Sequence, residues 1–160
     1  QMYEDTGKVL AEYGYSRYEI SNYASDGREC RHNIGYWKRE NYLGFGLGAA
    51  SLLENVRFSN RPDMEGYLKS KGEPAKLRQE IQRLSKQEQM EEFNFLGLRM
   101  TVGVSEEEFR RLVSCDIHEI YGDILEKYQR MQMLECRDGR ICLTKQGIFV
   151  SNPILADFLL

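Results

Sequence analysis

The sequence has no pair of cysteines at CxxC spacing. Its four, Cys30, Cys115, Cys136 and Cys142, are too scattered in a chain of 160 residues for a zinc ribbon, a disulfide framework or an iron–sulfur cluster held by this chain alone. That spacing leads to the expectation of a reducing, cytoplasmic setting. Long apolar runs are missing as well: 29% of the residues are charged, and no stretch reaches the roughly 20 apolar residues that a membrane-crossing helix needs. Excess positive charge is also absent, since the formal net charge is −3, so the balance gives no electrostatic reason to expect nucleic acid. Three prolines, two histidines and a single tryptophan are few enough that their positions carry information. What is present is 41% apolar content, enough for one ordinary domain and a smaller second one. The chain starts at Gln1 and its opening reads as an amphipathic helix and not an export signal, which leads to the expectation of a segment cropped from a longer protein.

Along the chain, residues 3–13 place Tyr3, Val9, Leu10 and Tyr13 at approximately helical spacing, and Gly14 is the stop. The alternation in YSRYEIS predicts a strand, and NYASDGRECRH, with Asn, Ser, Asp and Gly in quick succession, predicts a loop. AASLLENVRFSN predicts a hairpin turning at Glu54-Asn55. Pro62 and Asp63 open a further helix, and the charged, Pro74-containing stretch after it reads as a connection between two modules.

From Ser85 the grammar becomes helical. Ser85 with Glu88 and Ser105 with Glu108 are S-x-x-E boxes ahead of apolar runs, and Asp116 heads a third helix with Ile117, Ile120, Tyr121, Ile124, Leu125 and Tyr128 in period. Asp138-Gly139 between two β-prone arms is a strong hairpin signal, and KQGIFVSNPILADFLL reads as an apolar helix broken at Asn152-Pro153. Three helices, a hairpin and a terminal helix make a winged-helix arrangement the natural reading of 85–160. A DNA-binding winged helix is the alternative from another class, but Asp116, Glu119, Asp123 and Glu126 against Lys127 and Arg130 would offer phosphates the wrong sign.

The densest chemistry lies in RHNIGYWKRENYLGFGLGAAS, residues 31–51. GFGLGAA shares only its glycine spacing with a dinucleotide fingerprint, because the flanks do not supply a buried strand before it and a helix after it; a strand approached closely by a neighbour or ligand fits better. His32 is a candidate proton carrier or metal ligand placed in a loop, set against an imidazole bonded to nearby backbone with Asn33 in a turn. Tyr13, Tyr15, Tyr18, Tyr23, Tyr36, Trp37, Tyr42 and Phe45 crowd the same region, and either a flat apolar ligand or an aromatic core would account for them. His118 reads as a surface or cap residue.

YEISNYASDGRECRHNIGYWKRENYLGFGLGAAS, then RFSN, EEFNFLGLRM, GVS and LTKQGIFVSNPILADFL, in that order, closely resembles the C-terminal half of the oxygen-independent coproporphyrinogen III oxidase-like radical SAM proteins. The resemblance implies an α+β fold: terminal αβ elements of an incomplete radical SAM βα barrel over 1–70, a connection over 71–84, and a helical winged-helix-like C-terminal domain over 85–160. It implies an N-terminal barrel outside this chain that carries a [4Fe–4S] cluster and most of the S-adenosylmethionine site, so that this segment alone has no radical activity and no catalytic residue. The HNxxYW motif, His32, Asn33, Tyr36 and Trp37, is associated with the family's heme-chaperone branch. It implies heme binding, with His32 as ligand to the heme iron or close to it and Tyr36 and Trp37 as apolar walls. Gly44, Gly46, Gly48 and Ala49 resemble the family's glycine strand near S-adenosylmethionine or substrate. A true oxidase, which removes two propionate carboxyls to give protoporphyrinogen IX, is the other branch. The implied partners are heme or porphyrin and the missing barrel, with homodimerisation through an exposed barrel edge expected of the isolated segment.

Overall fold

The computed structural model describes residues 2–160. In chain order the elements begin with α1 (Met2–Glu12), β1 (Ser16–Arg17), β2 (Tyr23–Ala24) and α2 (Arg31–Trp37). β3 (Ala50–Leu53), β4 (Val56–Asn60), α3 (Met64–Lys69), a 3-10 turn (Pro74–Leu77) and β5 (Arg78–Arg83) follow. The rest is α4 (Lys86–Gly97), β6 (Val104–Ser105), α5 (Glu106–Val113), α6 (Ile117–Arg130), β7 (Leu134–Arg137), β8 (Arg140–Leu143), α7 (Lys145–Phe149) and α8 (Ser151–Ala156). The fold is mixed α and β, and packing divides it into two units, one of residues up to 38 with 90–160 and the other of 39–89. Among the described residues no helix is long and apolar enough to cross a membrane.

In the larger unit, burial follows helical period. Ile117, Tyr121, Leu125 and Tyr128 share the inner face of α6 and pack in one cluster with Phe109, Ile141, Ile154, Leu155 and Phe158. Rings run through that core from Phe93 to Phe109 at 5.8 Å, to Tyr121 at 6.2 Å and to Phe158 at 5.1 Å between centroids. Such ring pairs are worth about 0.5–1.5 kcal/mol each beyond the area they bury. The helix starts are satisfied locally: Glu108 N–H donates to Ser105 Oγ at 3.3 Å, His118 N–H to Asp116 Oδ1 at 3.0 Å and Gly147 N–H to Thr144 Oγ1 at 3.1 Å. Asp138 and Gly139 turn the β7–β8 hairpin with φ of +50° and +68°, and β6 adds to β8 on its other side. Gly103 is fixed by its surroundings, because at φ +62° a Cβ there would stand 2.0 Å from the Ile141 carbonyl oxygen.

The N-terminal part of that unit is tied on by polar and stacked contacts. Arg17 places its guanidinium 3.9 Å from the Tyr3 ring centroid and 4.8 Å from that of Tyr23, and Tyr3 O–H donates to Ile20 O at 2.5 Å. Residues 18–20 run antiparallel to 99–101: Thr101 N–H donates to Tyr18 O at 3.1 Å, Ile20 N–H to Arg99 O at 2.9 Å, and Glu19 faces Met100.

In the smaller unit β3, β4 and β5 form an antiparallel sheet in that order. Its hairpin turns at Glu54 and Asn55, with φ of +47° and +61°, where the sequence predicts the turn. Leu52, Phe58, Leu77 and Leu84 are buried here. The predicted capping box forms reciprocally, Glu88 N–H to Ser85 Oγ at 3.1 Å and Ser85 N–H to Glu88 Oε2 at 2.6 Å. Those bonds hold the Glu88 carboxyl below its ordinary pKa.

Several local expectations are corrected. YSRYEIS forms a two-residue strand and one bridge instead of a continuous strand, since Ser16 and Arg17 pair with Tyr23–Ala24 while Glu19 pairs with a different partner, Met100. NYASDGRECRH is not all loop: Tyr23–Ala24 pairs with Ser16–Arg17, and α2 begins at Arg31, which puts His32 and Asn33 in a helix. The C-terminal helix breaks at Val150 and not at Asn152-Pro153, because Pro153 sits in the first turn of α8, where its missing N–H costs nothing. The glycines of 44–48 lie in an irregular loop leading into β3, not in a strand.

Candidate functional site

α2 carries all four residues of the HNxxYW motif. Its local credentials are weak: Cys30 at the N-cap makes no side-chain hydrogen bond, and Gly35 sits inside it. Tertiary contact compensates. The Arg99 guanidinium stands 4.6 Å from the Trp37 ring centroid, a cation–π contact that anchors the end of the helix.

The helix faces then assign roles. His32 and Tyr36, four residues apart, share a face, and their rings meet edge to face with centroids 4.6 Å apart at 75°. Both are exposed, so the imidazole is open to a ligand while Tyr36 restricts its orientation. Asn33 and Trp37 share the neighbouring face and are half-buried; the Trp37 Nε1–H is buried without a partner. The aromatic crowd of the sequence disperses. Tyr13 and Phe45 are 74% and 83% exposed, and Tyr36 sets its ring edge to face against His32.

The second group lies in the other unit. Gly44, Gly46, Gly48 and Ala49 form a loop gripped by two buried polar side chains that the sequence reading missed. Asn60 Nδ2 donates to Gly46 O at 2.9 Å and to Gly44 O at 3.3 Å, and Gly44 N–H donates to Ser51 Oγ at 3.0 Å. The Asn60 backbone N–H reaches Ala49 O at 2.9 Å, and Tyr42 and Leu52 exchange N–H···O bonds at 2.8 and 3.0 Å. Two glycines are required by conformation, Gly46 at φ +96° and Gly48 at +66°. Gly44 is required by space, since a Cβ would fall 2.2 Å from the Ala50 carbonyl oxygen. The outcome is a loop of bare backbone held in one shape.

Cysteine chemistry does not build a second centre. Cys115 is raised above the ordinary thiol range first by its hydrogen bond to Glu119, and Cys136 and Cys142 first by burial, which keeps these thiols protonated near neutrality. Among the described residues no group of three or more His, Cys, Asp or Glu could hold a metal ion, so the donor set does not fit an iron–sulfur cluster. His118 is exposed in the first turn of α6, 3.6 Å from Glu106, as a cap-region residue.

Comparison with known proteins gives a consistent pattern. Residues 84–150 match the HemN C-terminal domain family. Over 159 residues the chain is 36% identical to the heme chaperone HemW of Lactococcus lactis, covering 99% of this chain and 41% of that protein. It is 31% identical to the heme chaperone HemW of Bacillus subtilis over 99% of this chain and 42% of that one. The structure of coproporphyrinogen III oxidase (HemN) from Escherichia coli, described as a radical SAM enzyme, superposes with a TM-score of 0.73 over 98% of this chain and 39% of that chain, at 13% identity. The chain therefore spans about two-fifths of the length of the relatives it matches.

Proposed function

We propose, from the match of residues 84–150 to the HemN C-terminal domain family and the likeness to heme chaperones HemW, that the chain is the C-terminal part of a heme chaperone that receives heme at α2. The observation that carries this reading is the exposed His32 imidazole, set edge to face against Tyr36 on a helix whose other end is anchored through Trp37. The donor chemistry fits: an imidazole nitrogen is an axial ligand for heme iron, and aromatic faces suit a macrocycle. His32 would hold the heme iron, with Tyr36 fixing the imidazole plane and Asn33 and Trp37 on the adjoining helix face, and the bound heme would supply the iron and the flat macrocycle. Relatives sharing a third of the residues are named heme chaperones, whereas the oxidase likeness rests on fold at 13% identity. That difference supports the chaperone reading over oxidative decarboxylation.

By family role, residues 1–70 are the last elements of a radical SAM barrel, 71–84 a connection, and 85–160 a winged-helix-like domain. The order β6-β8-β7 beside α4, α5 and α6 supports the last of these. The [4Fe–4S] cluster and S-adenosylmethionine belong to the rest of the protein. The loop at Gly44, Gly46, Gly48 and Ala49 suits close approach of S-adenosylmethionine or substrate, because its backbone is bare where a Cβ would clash or strain. Cytoplasmic location and homodimerisation through an exposed barrel edge complete the proposal.

Heme titration of the full-length protein, followed at the Soret band, tests it. His32→Ala is expected to weaken binding by about tenfold or more, since even the groups that only support a metal ligand cost about 10–100-fold when removed. Unchanged binding in His32→Ala rejects His32 as the ligand.

A further inference from the structure

Arg99 is held in a manner that its own neighbourhood does not explain. It follows the end of α4, with its backbone fixed on both sides: its N–H donates to Leu96 O at 3.1 Å, and its carbonyl accepts from Ile20 N–H at 2.9 Å. Its side chain is half-buried, with the guanidinium carbon 4.6 Å from the Trp37 centroid. Its Nε–H is buried with no partner, as is the Trp37 Nε1–H. No described residue forms an ion pair with Arg99. Glu19 comes close in the chain pairing, opposite Met100, yet its carboxylate is fully buried, takes the Ser21 N–H at 2.8 Å on Oε1, and leaves Oε2 without a partner.

A partly desolvated guanidinium without a counter-charge is costly, and a ring face offsets only part of that cost. What completes such a site is a planar oxyanion, because the guanidinium fork matches a carboxylate bidentately. Position narrows the choice. Trp37, under the charge, lies five residues beyond His32 on α2, a rise of about 7.5 Å at ~1.5 Å per residue. One short helix therefore presents an imidazole near one end and a cation at the other. Arg78 stacks on Phe58 with a similarly unpartnered Nε, but its unit, residues 39–89, contains no histidine.

We infer that Arg99, oriented by its stack on Trp37, recognises a propionate carboxylate of the porphyrin that α2 receives. This rests on the heme reading of α2 and adds to it a determinant for the acid side chains of the ring, separate from the iron. A tetrapyrrole with free carboxylates is the preferred ligand, and esterification removes the preference.

The test uses metal-free protoporphyrin IX and its dimethyl ester, titrated into the full-length protein and followed by porphyrin fluorescence. The wild type is expected to bind the diacid more tightly than the diester. Arg99→Met is expected to weaken the diacid by about tenfold and leave the diester within about threefold, with Arg99→Lys recovering part of the loss. Diester binding by Arg99→Met also reports that the variant is folded. Equal weakening of both ligands, or of neither, overturns the inference. Metal-free ligand separates the two readings, because ring binding without iron does not use the His32 bond. Diacid preference that depends on Arg99 supports the inference even where hemin binding ignores His32→Ala, and a wild type that binds hemin but neither metal-free porphyrin overturns the inference while the heme reading stands.

Discussion

Asn60→Ala gives the sharpest test of the glycine loop. The side chain is 6% exposed and spends its amide on two carbonyls, Gly46 O at 2.9 Å and Gly44 O at 3.3 Å. Alanine removes both donors and fills neither place. A partly buried carbonyl left without its partner costs about 1 kcal/mol at the lower end of the usual range, so two cost about 2 kcal/mol. The backbone bond from Asn60 N–H to Ala49 O and the Ser51 contact to Gly44 N–H are untouched, so the loss is local to residues 42–52. A local opening made easier by about 2 kcal/mol exposes its amides about 30-fold more often. Hydrogen exchange by mass spectrometry reads this directly at Tyr42, Gly44 and Leu52. Asn60→Asp, which sets a carboxylate against two carbonyl oxygens, is expected to be worse than alanine. Exchange at 42–52 that changes by less than about threefold in Asn60→Ala refutes the clamp.

Gly103→Ala is expected to cost about 3 kcal/mol or more, because it joins positive φ to a 2.0 Å collision with the Ile141 carbonyl, which cannot rotate away. In a thermal melt this is a Tm fall of roughly 6–12 °C, and a fall under about 3 °C refutes the argument. Tyr121 predicts an alkaline limit. Its phenol is pushed from 10.0 up to about 12, first by burial. The unfolded chain therefore releases the proton first, and the stability present below pH about 10 is lost as pH rises toward about 12, by at most about 3 kcal/mol. Urea midpoints at pH about 9 and about 11 should fall less in Tyr121→Phe than in the wild type, and equal falls reject Tyr121 as the source.

What the sequence made legible is what is decided within a few residues. The Ser85–Glu88 box, the caps at Ser105 and Asp116, and the turns at Glu54-Asn55 and Asp138-Gly139 all stand where local chemistry puts them. The HNxxYW residues were legible as a motif, but their helix was not: an uncapped Cys30 and an internal Gly35 give α2 little intrinsic preference, and the Arg99 stack that compensates comes from far along the chain. Asn60 and Ser51 were missed for the same reason. Each is an ordinary polar residue in a strand until its partner's position is known, 14 and 16 residues away for Asn60 and 7 for Ser51.

The 31–51 stretch also shows why contiguity in sequence is a poor guide to what forms one site. Between Lys38 and Arg39 the chain passes from one packing unit to the other, so the His32 helix and the glycine loop are shaped by different neighbours. The chemistry assigned to each asks for a different support. An iron ligand needs a side chain with a fixed plane on a regular backbone, which a helix supplies through the neighbour at i+4, here Tyr36. A surface for close approach needs side chains removed and the backbone locked, which Gly44, Gly46 and Gly48 supply once Asn60 and Ser51 hold them. The two requirements differ, and the two proposed sites in this one motif-rich segment accordingly rest on separate supports.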